Sequence, residues 1–241
     1  MERHRYLVKL RRVLPDRLLT VFKKTGLRKY VFRLFSKGDM ELAFQTEWAE
    51  EFKENRDLVL DYWRRYRYLD EITDLCCIKE QDRVLDVGCG ISSVLHFIDG
   101  LKFGIDPLFD EYRKAYNYPE DMNIQKGCGE KIPFPDGYFD GVFCSNVLDH
   151  VNSPEETISE IDRVLKEGGF FILTVEVFDG GETRDPAHPH CLTRDGVRKL
   201  ANRHFIAALE RESPWVGLRS YVKGRRKGVT RELIMVLRKR P

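Results

Sequence analysis

The sequence contains no long hydrophobic run, and none approaches the roughly 18 residues that a membrane-spanning helix needs. It also lacks paired cysteines: six are present, but none forms a CxxC pair and their spacing matches no zinc pattern. These absences argue against a membrane span and a structural metal site, and we expect no metal. Isolated thiols in apolar runs indicate a reducing compartment. The sequence also has no large excess of positive or negative residues, since the formal net charge is +2.

The charge is nevertheless unevenly distributed along the chain. Residues 1–38 hold about a dozen lysines and arginines against two acids. No uninterrupted apolar core follows this basic start, so it does not resemble a secretory signal and we expect a cytoplasmic protein. Apolar side chains interleaved with basic ones fit peripheral contact with an anionic membrane. A solvated face or docking onto the rest of the chain is the favoured interpretation, and nucleic acid is less favoured because no RNA-binding module is recognisable.

The composition changes twice along the chain. Residues 39–77 are mixed in charge, rich in aromatics and free of proline, which indicates one or two amphipathic helices. We therefore predict an N-terminal basic and helical extension over 1–77 and a second domain over 78–241. From residue 82 the pattern becomes strand, helix, strand, helix.

Seven strands are predicted in the second domain. Long buried apolar runs that alternate with helices are typical of a parallel sheet covered on both faces. The last two strands follow one another without a predicted helix and should form an antiparallel pair at the sheet edge. The predicted strands cover 83–88, 101–106, 122–127, 139–146, 169–178, 205–213 and 229–240, and the predicted helices between them cover 92–98, 109–116, 153–168 and 193–204.

Two neighbouring strands of this sheet end on acids. The first ends at Asp86 and continues into Gly88 and Gly90, where glycine tolerates backbone angles and close approaches that a side chain would block. About 20 residues later a second strand ends at Asp106, and an acid there can accept hydrogen bonds from both hydroxyls of a ribose. The carboxyl ends of parallel strands lie at one edge, so this arrangement predicts a nucleoside site.

Four motifs in order carry a family resemblance: VLDVGCG at 84–90, FGIDP around Asp106, GCGEKIPFPDGYFD at 127–140 and SNVLDHV at 145–151. On these motifs the chain resembles the class I S-adenosylmethionine-dependent methyltransferases of the small-molecule type. The resemblance implies a Rossmann-like, seven-stranded, doubly wound α/β sheet and S-adenosyl-L-methionine as cofactor. It is strong over residues 80–178 and absent from the first 75.

The resemblance also implies roles for individual residues. The glycines would pass close to the methionine part of the cofactor, Asp86 would hold its ammonium group, and Asp106 would bind the ribose. The loop after the third strand would flank the adenine, and the end of the fourth strand would line the approach to the acceptor. The cofactor-binding residues implied in this way are Asp86, Gly88, Cys89, Gly90, Asp106, Pro107, Cys128, Gly129, Glu130, Ser145 and Asn146.

His150 is the candidate catalytic residue. The methyl group of a sulfonium is already activated, so positioning supplies much of the acceleration, but a hydroxyl acceptor must also lose its proton. His150 has a suitable intrinsic pKa to act as that base, and packing behind the cofactor loop is the competing interpretation. We therefore expect methyl transfer to oxygen of a small-molecule, lipid-linked or glycan-linked acceptor.

Three other functions remain open on the sequence. They are an RNA methyltransferase, a non-catalytic cofactor-binding protein, and a nicotinamide-dependent dehydrogenase of related fold. Ser93 stands where the dinucleotide fingerprint has a third glycine, which disfavours the dehydrogenase. Ser92 and Cys128 depart from the methyltransferase pattern and could weaken cofactor binding. His188 and His190 lie in a loop that we interpret as an acceptor-facing lid or a surface loop rather than a metal site.

Overall fold

The computed structural model describes residues 37–178, 189–214, 216–224 and 231–240. The hypothesis of membrane contact concerns the basic N-terminal residues, most of which lie outside these ranges. His188 also lies outside them. Within the described ranges, no helix combines the length and the apolar character needed to cross a membrane.

One mixed sheet of seven strands forms the centre of the molecule. Its order is β3-β2-β1-β4-β5-β7-β6. β7 runs antiparallel to both of its neighbours, and the other pairs are parallel. The strands are β1 (Arg83–Val87), β2 (Leu101–Asp106), β3 (Met122–Lys126), β4 (Phe139–Ser145), β5 (Leu165–Val177), β6 (Phe205–Pro214) and β7 (Arg231–Lys239). The predicted doubly wound sheet with an antiparallel C-terminal pair is confirmed.

Seven α-helices are present among the described residues. They are α1 (Lys37–Glu54), α2 (Arg56–Arg67), α3 (Leu69–Cys76), α4 (Phe109–Tyr112), α5 (Pro154–Val164), α6 (Arg194–Ala201) and α7 (Leu218–Val222). The segment 37–76 thus forms three helices where the sequence predicted one or two. α7 is a short helix in the connection between β6 and β7, where none was predicted.

The helix predicted over 153–168 begins as expected and ends early. Ser153 accepts a hydrogen bond from the Glu156 N–H, and Pro154 occupies the first turn, as an N-cap and an N1 proline should. At the other end, the N–H groups of Gly137 and Tyr138 donate to the carbonyls of Arg163 and Val164. These donors take the last carbonyls of the helix, so the chain enters β5 at Leu165 instead.

The predicted helix over 92–98 is only a 3₁₀ turn, Val94–His96. The Ser93 hydroxyl accepts a hydrogen bond from the Leu95 N–H at 3.1 Å and caps this turn. Its backbone bonds span three residues, as expected for a short 3₁₀ segment. The connection from β1 to β2 is therefore compact, and it keeps the loop after β1 close to the sheet edge.

Each face of the sheet carries its own buried core. One core contains residues of α5 and α6, such as Ile158 and Val197, packed with inward side chains of β4 and β5. The other core joins α1–α3 to the opposite face, with Trp48, Trp63 and Ile72 packed against side chains such as Phe143. The N-terminal helices therefore share a core with the sheet. The division of the chain at residue 77 stays a prediction.

Candidate functional site

The loop after β1 has two glycines in the left-handed region of φ. Gly88 has φ +69° and Gly90 has φ +52°, backbone conformations that L-residues rarely adopt. A Cβ on Gly88 would lie 2.5 Å from Val147 Cγ2, and one on Gly90 would lie 3.0 Å from Gln45 Nε2. The N–H groups of Gly88 and of the buried Cys89 donate to the Ile105 carbonyl of β2. The loop is thus fixed across the ends of β1 and β2, where the motif predicted it.

Asp86 is buried at the carboxyl end of β1. Its side chain is 3% exposed, and its Oδ2 accepts a hydrogen bond from the Ser93 hydroxyl at 2.6 Å. The other oxygen, Oδ1, has no hydrogen-bond partner among the described residues. Burial raises the pKa of Asp86 to about 7, and the Ser93 hydrogen bond opposes that shift. The orphaned oxygen is an acceptor that a ligand's ammonium group could satisfy.

Asp106 closes the end of β2 and faces the glycine loop. Its Oδ2 accepts from the Gly90 N–H at 3.1 Å and its Oδ1 accepts from the Leu108 N–H at 2.9 Å. Burial raises the pKa of Asp106 to about 6, and these two hydrogen bonds oppose the shift. A carboxylate has about four acceptor sites, so two remain for ribose hydroxyls. Pro107 follows as an exposed residue.

Helix α1 forms a wall beside the glycine loop. Gln45 Oε1 accepts from the Ile91 N–H at 3.3 Å, and Gln45 Nε2 donates to Glu41 Oε1 at 3.0 Å. From the β2–β3 connection, the Tyr118 hydroxyl donates to the Gly90 carbonyl at 2.8 Å. The sequence analysis did not predict a role for Gln45, Glu41 or Tyr118. Nothing near Gln45 or Tyr118 in the sequence indicates a contact with Gly90.

The loop after β3 is held against α5 and the segment between β4 and α5. Gly129 is required because a Cβ there would lie 2.8 Å from Thr157 Cγ2. Glu130 Oε1 accepts from the Asn152 N–H at 2.6 Å. Burial would raise the pKa of Glu130, but backbone hydrogen bonds outweigh it and the pKa is lowered. Cys128 is exposed, and its carbonyl accepts from the Lys131 N–H. The Glu130 side chain thus fixes the loop, and an adenine would meet the loop through its backbone.

Ser145 and Asn146 lie at the end of β4, next to β1. Asn146 has φ +58°, and its N–H donates to the Thr174 carbonyl at 2.7 Å. Ser145 Oγ and Asn146 Oδ1 are buried without a hydrogen-bond partner in the described part of the chain. Buried polar atoms in folded proteins normally have a partner. Both atoms are therefore candidates for contact with a ligand.

His150 lies just beyond the end of β4. Its side chain is 22% exposed, and its Nε2 lies 3.8 Å from Oδ1 of the buried Asp149. His190 from the loop after β5 lies beside it, since His190 Nε2 is 2.9 Å from the Val151 carbonyl oxygen. No group of three or more metal-ligating side chains occurs among the described residues. The structure thus places His190 against Val151, and the choice between a lid and a surface loop stays a prediction.

The crevice defined by these residues fits an adenosyl cofactor. The Asp86 Oδ1 atom has no hydrogen-bond partner among the described residues, and Asp106 retains acceptor capacity. Of the predicted cofactor residues, those on β1, β2 and β4 converge at one edge of the sheet. Ser93, which binds Asp86, was seen in the sequence only as a departure from the dinucleotide fingerprint.

The comparisons with known proteins agree with this geometry. Residues 85–173 match the family described as a methyltransferase domain. An uncharacterised methyltransferase of Schizosaccharomyces pombe is 33% identical over 109 residues, which are 39% of this chain and 39% of that protein. A tRNA U34 carboxymethyltransferase of Actinobacillus succinogenes is 32% identical over 71% of this chain and 50% of its own length. A sterol 24-C-methyltransferase of Aspergillus fumigatus is 34% identical over 46% of this chain and 32% of its own length.

The chain thus spans at most half the length of these curated relatives. Among solved structures, a putative sarcosine dimethylglycine methyltransferase from Galdieria sulphuraria aligns with a TM-score of 0.56. The alignment is 17% identical and covers 72% of this chain and 84% of the other. At this identity the likeness shows the fold.

Proposed function

The chain belongs to the class I S-adenosylmethionine-dependent methyltransferases, and from that premise we propose that it transfers a methyl group from S-adenosyl-L-methionine to a small-molecule, lipid-linked or glycan-linked acceptor. One observation carries the proposal. Two left-handed glycines, Gly88 and Gly90, lie between two buried acids at neighbouring strand ends. This edge of the sheet is where open α/β folds bind nucleotides.

Each part of the crevice has a proposed role in holding the cofactor. Asp86 accepts the ammonium group through Oδ1, and Ser93 orients that carboxylate. Asp106 accepts the ribose hydroxyls through the acceptor sites that Gly90 and Leu108 leave open. The remaining proposed contacts lie along the glycine loop, the loop after β3 and the end of β4, and they are Cys89, Pro107, Cys128, Gly129, Glu130, Ser145 and Asn146.

The bound cofactor supplies a methyl group on a positively charged sulfur, ready for displacement. What the protein adds is position: the fixed glycine loop and the α1 wall hold one reactant, and the edge of β4 directs the other in line with it. Orientation of this kind accounts for a large share of the rate enhancement in two-substrate transfers.

We propose oxygen as the acceptor atom and His150 as the general base. His150 is partly exposed at the end of β4, and the Asp149 carboxylate 3.8 Å from its Nε2 can stabilise the imidazolium that forms. A base in this position would take the proton of an acceptor hydroxyl as the new bond forms. If His150 is not a base, the same site would suit an acceptor atom that has no proton to lose during methyl transfer.

An RNA methyltransferase is the second candidate. One relative, aligned over 71% of this chain, is named as a tRNA U34 carboxymethyltransferase. Another is named as a sterol 24-C-methyltransferase. A protein that binds the cofactor without catalysis is the third. Tight RNA binding that weakens steeply with salt would favour the RNA enzyme, because phosphate contacts release counterions.

Thermal-shift measurements test the cofactor proposal directly. Protein mixed with S-adenosylmethionine or S-adenosylhomocysteine should unfold at a higher temperature, since a ligand that binds only the folded state stabilises it. Nicotinamide dinucleotides are the matched controls and should give no shift. A shift with the dinucleotides alone would overturn the proposal. Methyl release measured with the same protein then separates an enzyme from a binding protein.

A further inference from the structure

The second half of the glycine loop is held in place by side chains. Gly90 and Ile91 lie outside the helices and strands, so their backbone groups need other partners. Each of the four polar backbone groups of these two residues is bound by a different side chain. We call these four side chains the loop clamp, and they are Gln45, His96, Asp106 and Tyr118.

The peptide between Gly90 and Ile91 is bound at both of its polar ends. The Tyr118 hydroxyl donates to the Gly90 carbonyl at 2.8 Å. The Ile91 N–H donates to Gln45 Oε1 at 3.3 Å. A rotation of this peptide would break both hydrogen bonds, because its carbonyl and its N–H belong to one planar unit. Two segments that are distant in the sequence, α1 and the β2–β3 connection, therefore determine its orientation.

Both of these side chains are themselves fixed by their neighbours. Gln45 Nε2 donates to Glu41 Oε1 at 3.0 Å, so Gln45 Oε1 is the amide atom left to accept from the loop. The Tyr118 ring packs against the rings of Tyr116 and Phe109, with centroids 5.1 and 5.7 Å away. Burial raises the pKa of Tyr118, so its hydroxyl stays protonated and remains a donor.

The other two bonds of the loop clamp connect it to the site. The Gly90 N–H donates to Asp106 Oδ2 at 3.1 Å, and that carboxylate is the proposed ribose acceptor. His96 Nε2 lies 3.1 Å from the Ile91 carbonyl oxygen. Because a carbonyl oxygen can only accept, this nitrogen carries a proton. Burial lowers the pKa of His96 to about 4, so the ring is neutral at pH 7. The position of Gly90 is thus tied to the acid that would meet the ribose.

We propose, on the basis of the cofactor binding proposed above, that Gln45 and Tyr118 are positioning residues for S-adenosylmethionine. Gly90 has φ +52° and no Cβ, so the backbone itself restricts the loop very little. The two side chains supply that restriction by fixing the peptide that follows Gly90. Without either bond the peptide can rotate, the Gly90 N–H leaves Asp106, and the carboxylate loses the orientation in which it accepts the ribose.

Two tyrosine-to-phenylalanine changes form a matched pair that tests this role. Tyr118→Phe removes the hydroxyl that binds the loop, and Tyr68→Phe removes a hydroxyl that donates to the Glu212 carbonyl at 3.4 Å. Both tyrosines are half-buried. In calorimetry, Tyr118→Phe should raise the Kd for S-adenosylmethionine about threefold to tenfold, as expected for one hydrogen bond. Tyr68→Phe should change it less than about twofold, and Gln45→Met should resemble Tyr118→Phe.

Amide hydrogen exchange of the cofactor-free chain separates positioning from a purely structural role. Tyr118 binds a carbonyl and no amide of the loop, so faster exchange at the Gly90 N–H reports movement of the loop itself. Relative to the amides of β5, which report global unfolding, Gly90 should exchange about fivefold faster or more in Tyr118→Phe. In Tyr68→Phe this ratio should stay at its natural value.

The two measurements have separate consequences. An unchanged Kd in Tyr118→Phe would overturn the proposal, and so would a Gly90 amide that exchanges at its natural rate relative to β5. Equal increases of the Kd in Tyr118→Phe and Tyr68→Phe would also overturn it, because the effect would then be a general loss of stability. No binding of S-adenosylmethionine to the natural chain would refute the proposed function, and the positioning role with it, even if the exchange result held.

Discussion

Cofactor affinity should fall steeply as the pH is lowered from 7 to 5, because the carboxylate that we propose receives the ammonium group is buried. Burial raises the pKa of Asp86 from an ordinary 3.8 to about 7. A protonated carboxyl cannot form the ion pair, so binding requires the ionised fraction. For Asp86 alone, that fraction is about one half at pH 7 and about 1% at pH 5, which corresponds to a Kd roughly 50-fold higher, or about 2.3 kcal/mol, and Asp106 adds to this change.

Isothermal titration calorimetry measures this dependence. The cofactor's own amino group, with a pKa of about 7.7–8.0 for an α-amine, stays mostly protonated throughout the range and contributes little. Near pH 6, binding should release close to one proton from Asp86 and a fraction of one from Asp106, detected as a difference in apparent enthalpy between buffers of different ionisation enthalpy. Asp86→Asn is the matched control. It should bind more weakly at pH 7 and retain only the shallower dependence due to Asp106, whose pKa is about 6.

The same pKa shift predicts a stability effect of opposite sign. A folded-state pKa above the unfolded one means that the native protein binds the proton more tightly, so Asp86 makes the chain less stable as the pH rises from about 4 to 7. Asp86→Asn should therefore raise the free energy of unfolding at pH 8 by on the order of 1–4 kcal/mol. A Kd that changes less than twofold between pH 7 and 5, or an Asn variant with the natural slope, would refute the reasoning.

Three further perturbations probe other parts of the structure. Gly88→Ala should lower the free energy of unfolding by about 1–3 kcal/mol more than Gly137→Ala in denaturant titration, because both glycines have positive φ but only Gly88 would meet Val147; equal losses would refute the close approach. Arg67→Met should cost about 3–5 kcal/mol by leaving a buried carboxylate unpaired, and adding a Glu232→Leu change should restore most of it; a double variant no more stable than the single one would contradict this. His150→Gln should lower kcat for a hydroxyl acceptor by about 10²–10⁴ with the Kd for S-adenosylmethionine unchanged, and an unaffected kcat would remove the base.

The sequence predicted β1 and β2 closely, since each is a short run that ends in an acid or in glycine. β1 and β2 were predicted to within one residue at each end. The acids and glycines of the site follow from those strand ends. Prediction succeeds for these strand ends because residues close to one another in the sequence determine them.

What escaped prediction depends on contacts between distant segments. α5 ends at Val164 because backbone N–H groups near Gly137 bind the last carbonyls of the helix. Nothing in the sequence of the helix itself predicts this end. Gln45 reaches the glycine loop from a helix more than 40 residues away.

The central claim is that a glycine loop and two buried acids hold S-adenosylmethionine at the ends of β1 and β2. Calorimetry of the natural chain and of Asp106→Ala with that cofactor tests it most directly. The claim predicts saturable binding to the natural chain and a loss of about 1–3 kcal/mol in the variant, as expected for removing charged hydrogen bonds. Binding of equal strength in both proteins would contradict the ribose contact, and no binding to the natural chain would contradict the site as a whole.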